Sequence, residues 1–246
     1  MNLLRQVGSP ALMLLRTVRA TAREGLDVRE CLRQLHELGT RSAWLVVSGM
    51  AFFGAVLITI ANSQARRFTG NLVILGPAYF ELMVREFGPV VSALLTAARA
   101  GASHSAELST MSIQEQVEAL EMSAGDPLAD LVAPRVVAGA VGVPLLCVLG
   151  TMAATGSAVL TATYAFGVDG LAFVDPRFVD GWDLLAALLK SVGCGVFIPV
   201  AAARAGLSAR GGVEAVGEAT TPRVVACIGC LLIDFLVALL FLLVHV

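Results

Sequence analysis

Five long apolar stretches alternate with short polar ones along this chain, over 43–60, 72–98, 136–163, 184–203 and 224–246. The shortest, at 18 residues, makes about 27 Å of helix, close to the roughly 30 Å of a bilayer's hydrocarbon core. The pattern therefore predicts an all-α integral membrane protein with five transmembrane helices. Pro144 falls inside the third span and predicts a kink there. The second span is interrupted by Glu81, Arg85 and Glu86, the fourth contains Lys190, and the fifth holds Asp234 at its eleventh position. A charge at that depth costs roughly 2.5–3.5 kcal/mol on insertion scales, so these side chains are expected to face protein or a wet cavity.

Ahead of the first span, residues 1–42 carry seven arginines on a helical pattern. Arg16, Arg19 and Arg23 share one face, Leu14, Leu15 and Val18 lie on the other side, and Val28, Leu32 and Leu35 resume the apolar stripe after Gly25. This predicts an amphipathic interfacial helix, broken near Gly25 and lying on a membrane surface. A soluble helical pair docked on a partner is the alternative. The chain thus divides into an N-terminal interfacial segment, 1–42, and a transmembrane domain, 43–246. The apolar run 10–15 is too short for a signal peptide and is followed by Arg16 and Arg19.

Composition agrees with a membrane protein: 57% of residues are hydrophobic, only 15% are charged, and mean hydropathy is +0.81. A net charge of −2 offers no basic excess for nucleic acid. The only lysine, Lys190, follows no Gly-rich loop, so the chain has no phosphate-cradling site for ATP of the P-loop kind. Cys227 and Cys230 have CxxC spacing inside the last span, without a second pair, and are read as packing residues. His104 and Glu107 make at most half a metal site, because His36 and His245 fall on opposite sides of the membrane.

Charge in the connections sets the orientation. The N-terminal segment, the ends of the 99–135 connection (Arg99, Arg135) and the fourth connection (Arg204, Arg210, Arg223) are basic. The third connection carries Asp169, Asp175, Asp180 and Asp183 against Arg177. The positive-inside rule then puts the N-terminus and the 99–135 connection in the cytoplasm and the C-terminus outside, with Arg66 and Arg67 as exceptions.

Within that cytoplasmic connection, 112–123 predicts a short amphipathic helix. Ile113, Val117 and Leu120 form its apolar stripe, Gln114, Glu118 and Glu121 flank them, and Gly125 with Asp126-Pro127 stops it. Such a helix suits a groove on a partner protein; resting on the membrane surface is the alternative. Glu118-Ala119-Leu120 followed by Gly125 is also similar to the EAA loop by which ABC importers dock on their ATPase, with one extra residue before the glycine.

A denser resemblance runs through the middle of the chain. Arg85-Glu86-Phe87-Gly88-Pro89-Val90-Val91, Ala98-Arg99-Ala100-Gly101, Ala106-Glu107-Leu108, Glu115 to Met122, Asp126-Pro127 and Ala133-Pro134-Arg135 resemble the MlaE family of ABC permeases. Lys190-Ser191, Gly217-Glu218-Ala219-Thr220-Thr221 and Asp234-Phe235 continue the likeness, which covers roughly 72–240. Asn62-Ser63-Gln64, Arg66-Arg67, Ala98 and Pro222-Arg223 depart from the pattern. The resemblance implies a non-catalytic permease subunit, working as a homodimer in the bacterial inner membrane. It implies as partners a cytoplasmic ATPase, which would hold ATP and Mg, and a periplasmic MCE-domain protein, with phospholipid as cargo. It assigns ATPase coupling to Ile113, Glu115, Val117, Glu118, Leu120 and Glu121. No cofactor is expected in this chain.

The residue chemistry points independently to an amphiphilic cargo. Arg85, Glu86, Lys190 and Asp234 are two ionisable groups of each sign in or near spans, suited to line a headgroup cavity beside apolar walls. Internal salt bridging is the alternative for each, and snorkelling to the interface a further one for Lys190. Pro89 loosens the turn holding Arg85 and Glu86, and Glu81, one turn earlier, is placed to neutralise Arg85. Two other functional classes fit the hydropathy. A proton-coupled carrier would titrate Asp234 or Glu86 and favour internal repeats, which this sequence lacks. A lipid enzyme would need a convergent His, Asp or Ser cluster at one depth.

Overall fold

The computed structural model describes residues 3–68, 76–123, 125–167, 179–207 and 220–245. Every regular element among them is helical. Helix α1 is Leu3–Glu24 and α2 is Val28–Phe68. Helix α3 is a column over 76–113 in which α-helical pieces Gly76–Leu82, Gly88–Thr96 and Ala102–Ile113 alternate with π-helical turns Met83–Phe87 and Ala97–Gly101. Helix α4 is Gln116–Met122, α5 is Leu128–Phe166 with a π-helical first turn Leu128–Val132, α6 is Gly181–Leu207 and α7 is Thr220–His245. Asp169, Asp175, Arg177, Arg210 and the run Gly217-Glu218-Ala219 lie outside the described residues.

Local chemistry sets the breaks. Gly25 takes φ +90°, which favours glycine, and its N–H donates to the Thr21 carbonyl at 2.9 Å, closing α1. Asp27 then caps α2, its Oδ1 accepting from the N–H of Arg29 at 2.9 Å. From there α2 runs for 41 residues without interruption. The first span is therefore one part of a longer helix, because backbone hydrogen bonds continue where apolar side chains stop. Asp126 Oδ1 accepts from the N–H of Leu128 at 2.9 Å and opens α5.

Among the described residues, four helices are long and apolar enough to cross a bilayer: Val28–Ala65, Leu128–Phe166, Gly181–Leu207 and Val224–Phe241. The expected second span, 72–98, corresponds to α3 and is not among them. Its π-turns divide it into short pieces, and Glu81, Arg85 and Glu86 break its apolar run.

The core explains how α3 is placed. Helices α2 and α5 pair along most of their length, and α5, α6 and α7 pack in succession. Val46, Met50, Ile58, Met83, Leu146 and Ala154 bury one contact zone, between α2, α3 and α5. Ala93, Ala97, Val143, Cys194, Ile198, Ala226 and Cys230 bury another, where α3 meets α5, α6 and α7. The Gly88–Thr96 segment is thus interior. Between α5 and α6 the backbones nearly touch: a Cβ at Gly139 would overlap the Gly195 carbonyl, and one at Gly195 would overlap Gly139. Small residues admit that approach, and dispersion across it holds membrane helices together. Trp44, Phe52, Leu145, Met152, Leu188, Phe235 and Leu236 point outward, as lipid-facing positions do.

Helix α1 packs against the first turn of α5 and the end of α6 through Met13, Thr17 and Ala20. Leu12, Leu15 and Val18 stay exposed.

Candidate functional site

Proline chemistry on α3 prepares the site. Pro89 has no N–H to offer the Arg85 carbonyl four residues earlier, and the π-turn Met83–Phe87 lies at this point. Lys190 of α6 fills the gap, its Nζ donating to the Arg85 carbonyl at 3.3 Å. The same ammonium donates to Glu86 Oε2 on α3 and lies 3.0 Å from Asp234 Oδ1 on α7. Lys190 is 1% exposed. It does not snorkel: its stem is packed inside and its charge is spent on two carboxylates from two other helices. The Asp234 contact is an ion pair without hydrogen-bond alignment, since Asp234 Oδ1 has no hydrogen-bond partner.

A second tier sits two helical turns away, because Asp183 precedes Lys190 by seven residues on α6 and Phe241 follows Asp234 by seven on α7. Arg85 reaches it. Its Nη1 is 3.6 Å from Asp183 Oδ1, its Nε is 3.4 Å from Glu86 Oε1, and its guanidinium lies 4.7 Å over the Phe241 ring. Trp182 packs edge-on against Phe241 with centroids 6.4 Å apart. Asp183 is 5% exposed and its Oδ2 accepts from the Asp180 N–H at 3.1 Å. The site therefore joins all four sequence-predicted residues, Arg85, Glu86, Lys190 and Asp234. Arg85 is neutralised by Glu86 and Asp183 rather than by the expected Glu81. Asp183, which the sequence places in the acidic third connection, and Phe241 and Trp182, which carry no charge to mark them, join the site only through the packing of α3, α6 and α7. Their seven-residue spacing from Lys190 and Asp234 was the available signal.

Beside these charges, α3, α5 and α6 enclose an apolar groove of about 700 Å³. Val84 and Ser191, next in sequence to Arg85 and Lys190, line it together with Thr151, Met152, Thr155 and Leu188. Thr155 Oγ1 has no hydrogen-bond partner there. Two cations and two carboxylates thus share the walls α3 and α6 with an apolar groove, and Asp234 joins them from α7.

The predicted coupling helix is divided. Helix α3 continues to Ile113, a turn at Gln114–Glu115 follows, and α4 covers Gln116–Met122. Glu115 adopts φ +60°. The stripe residues Ile113, Val117 and Leu120 are half-buried, and Glu115, Glu118 and Glu121 are exposed. Met122 is 90% exposed.

Another polar group lies near that connection. Arg135 is buried, its Nη2 3.0 Å from Glu107 Oε2 and its Nη1 donating to the Leu131 carbonyl at 2.6 Å. Among the described residues no three His, Cys, Asp or Glu side chains converge as metal ligands. Cys194 Sγ lies 3.8 Å from the Cys230 carbonyl, and both thiols are buried packing groups.

The chain is similar to known proteins along most of its length. A probable ABC transporter permease protein of Rickettsia felis is 32% identical over 240 residues, 96% of this chain and 92% of that protein. The intermembrane phospholipid transport system permease protein MlaE of Haemophilus influenzae is 34% identical over 220 residues, 85% of this chain and 82% of that protein. A probable ABC transporter permease protein of Synechocystis sp. is 31% identical over 202 residues, 81% and 76% of the two chains. The family described as Permease MlaE matches residues 31–240, which contain every charged residue of the site, and the chain belongs to that family.

Proposed function

We infer that this chain is the permease subunit of an ABC transporter moving phospholipid between the membrane it spans and a periplasmic MCE-domain partner. A separate cytoplasmic ATPase, holding ATP and Mg, drives it. The observation that carries this reading is the buried Lys190–Glu86–Asp234 network, extended by Arg85 and Asp183, beside an apolar groove. A phospholipid needs polar partners for its headgroup and an apolar wall for its tails, and both are present along α3 and α6.

In this reading α3 crosses the membrane as a fifth span, since its middle is packed inside four apolar helices. The N-terminus is cytoplasmic and the C-terminus periplasmic, in the bacterial inner membrane, as loop charge favours. Helix α1 lies at the interface with Leu12, Leu15 and Val18 turned to lipid. A bundle this thin cannot wrap a two-tailed lipid, so a second copy supplies the other wall of the cavity. Helix α4 couples to the ATPase, and its exposed Glu118, Glu121 and Met122 form the outer part of that contact.

The network also provides a switch. Lys190 ties α3 to α7 through Glu86 and Asp234. A headgroup phosphate competes for Lys190 and Arg85, and its arrival loosens α7 from α3. Charge pairs at low dielectric have discrete partners, so the cavity is held shut or opened rather than continuously deformed.

The test is reconstitution with the ATPase and the MCE-domain protein, following labelled phospholipid between liposomes. ATP-dependent transfer, with lipid adducts to a photocrosslinker at the groove position 152, is the expected result. Absence of both overturns the reading.

A further inference from the structure

Arg85 is held loosely compared with Lys190. Its two charge contacts are 3.4 and 3.6 Å long, beyond the roughly 2.7–2.9 Å of a well-made charge-assisted hydrogen bond. What lies around its guanidinium is an aromatic face and a carboxylate: Phe241 at 4.7 Å, Trp182 edge-on behind it, and Asp183. An aromatic face with an acid at its edge is the chemistry that recognises an alkylammonium group. In this structure the protein's own guanidinium occupies that place.

We propose that Phe241, Trp182 and Asp183 form a subsite for the ammonium of a zwitterionic lipid headgroup, with Arg85 as its exchangeable internal occupant. This rests on the reading of the chain as a phospholipid permease and names the class of lipid it selects. On exchange the headgroup ammonium takes the position over Phe241 beside Asp183. Arg85 swings toward the phosphate, whose negative charge it and Lys190 then share.

The charges favour this exchange. The cluster holds Arg85 and Lys190 against Glu86, Asp183 and Asp234, a formal sum of −1. A zwitterion leaves that sum unchanged. An anionic headgroup such as phosphatidylglycerol adds a further negative charge to a site already negative and leaves Phe241 with no cation to receive. The preference is therefore set at the second tier, by Phe241 and Asp183, whereas Lys190 attracts any phosphate.

Purified full-length protein in nanodiscs of equal phosphatidylethanolamine and phosphatidylglycerol tests this, reading the lipids retained at the site by native mass spectrometry and by photocrosslinking from position 152, a groove position outside the charged network. The wild type is expected to retain phosphatidylethanolamine over phosphatidylglycerol about tenfold, equivalent to about 1.4 kcal/mol. In Phe241→Leu the ratio falls to within twofold of unity, and in Phe241→Tyr, which restores an aromatic face, it returns toward the wild-type value. Trp182→Leu, at a more exposed position, lowers the ratio in the same direction and serves if Phe241→Leu does not insert. Retention of both lipids without preference by the wild type overturns the subsite and leaves the phospholipid permease standing. An unchanged preference in the leucine variants overturns it equally. Retention of no lipid overturns the permease reading along with it.

Discussion

Lys190 and Glu86, 104 positions apart in the chain, meet through an ammonium–carboxylate hydrogen bond inside the helix bundle. The contact joins α6 to α3 at the level where Pro89 has freed the Arg85 carbonyl, and Asp234 brings α7 to the same ammonium. One buried cation thereby organises three helices.

Removing that cation leaves two carboxylates facing each other with little water. Lys190→Met is expected to cost about 3–5 kcal/mol, the usual result of stripping one partner from a buried ion pair. The loss shows as a lowered melting temperature of the purified protein. Adding Glu86→Gln and Asp234→Asn to it removes the uncompensated charge and recovers most of the stability. A triple variant no more stable than Lys190→Met would contradict the network.

Glu86 tests transport rather than assembly. Glu86→Gln keeps an acceptor for Lys190 Nζ, so it melts closer to wild type than Glu86→Ala does. Both variants are expected to transfer labelled phospholipid at least about tenfold more slowly, since the charge that Lys190 must release is gone. Normal transfer by Glu86→Ala, with no lipid adduct from a crosslinker at position 86, would remove Glu86 from the cavity.

Helix α4, the proposed ATPase contact, allows docking to be separated from folding. Met122 is 90% exposed, so Met122→Asp loses no internal packing and is expected to weaken co-purification of the ATPase at unchanged melting temperature. Val117→Asp places a charge at a half-buried position and lowers both. An ATPase that co-purifies undiminished with both variants would put α4 on the lipid surface instead.

Gly195 sits at a close backbone approach between α5 and α6. A side chain there overlaps the backbone at Gly139, which belongs to α5 and cannot swing aside. Gly195→Val is expected to separate α5 from α6 and destabilise the protein by about 1–3 kcal/mol or more, the usual cost of overpacking. Measured by thermal unfolding, Gly156→Val is the control, because a Cβ at Gly156 meets nothing within 4 Å.

The membrane architecture is written locally in this sequence. Apolar runs long enough to span, the ionisable residues inside them, and the stop at Gly25–Asp27 follow from hydropathy and backbone chemistry within a few residues. Even the site was partly legible, because charge in a bilayer is costly enough that Arg85, Glu86, Lys190 and Asp234 had to face inward together. Partner choice was not legible. Neighbours in sequence suggested that Glu81 would neutralise Arg85 and that Lys190 would snorkel, yet helix packing gave Arg85 to Glu86 and Asp183 and buried Lys190 between two acids. The same holds for the π-turn Met83–Phe87 of α3, which lies where Pro89 frees the Arg85 carbonyl and α6 offers Lys190 to it. Hydropathy acts through each residue's own transfer to lipid and needs no neighbour; an ion pair needs two helices brought to one depth and one rotation, which only the packed bundle decides.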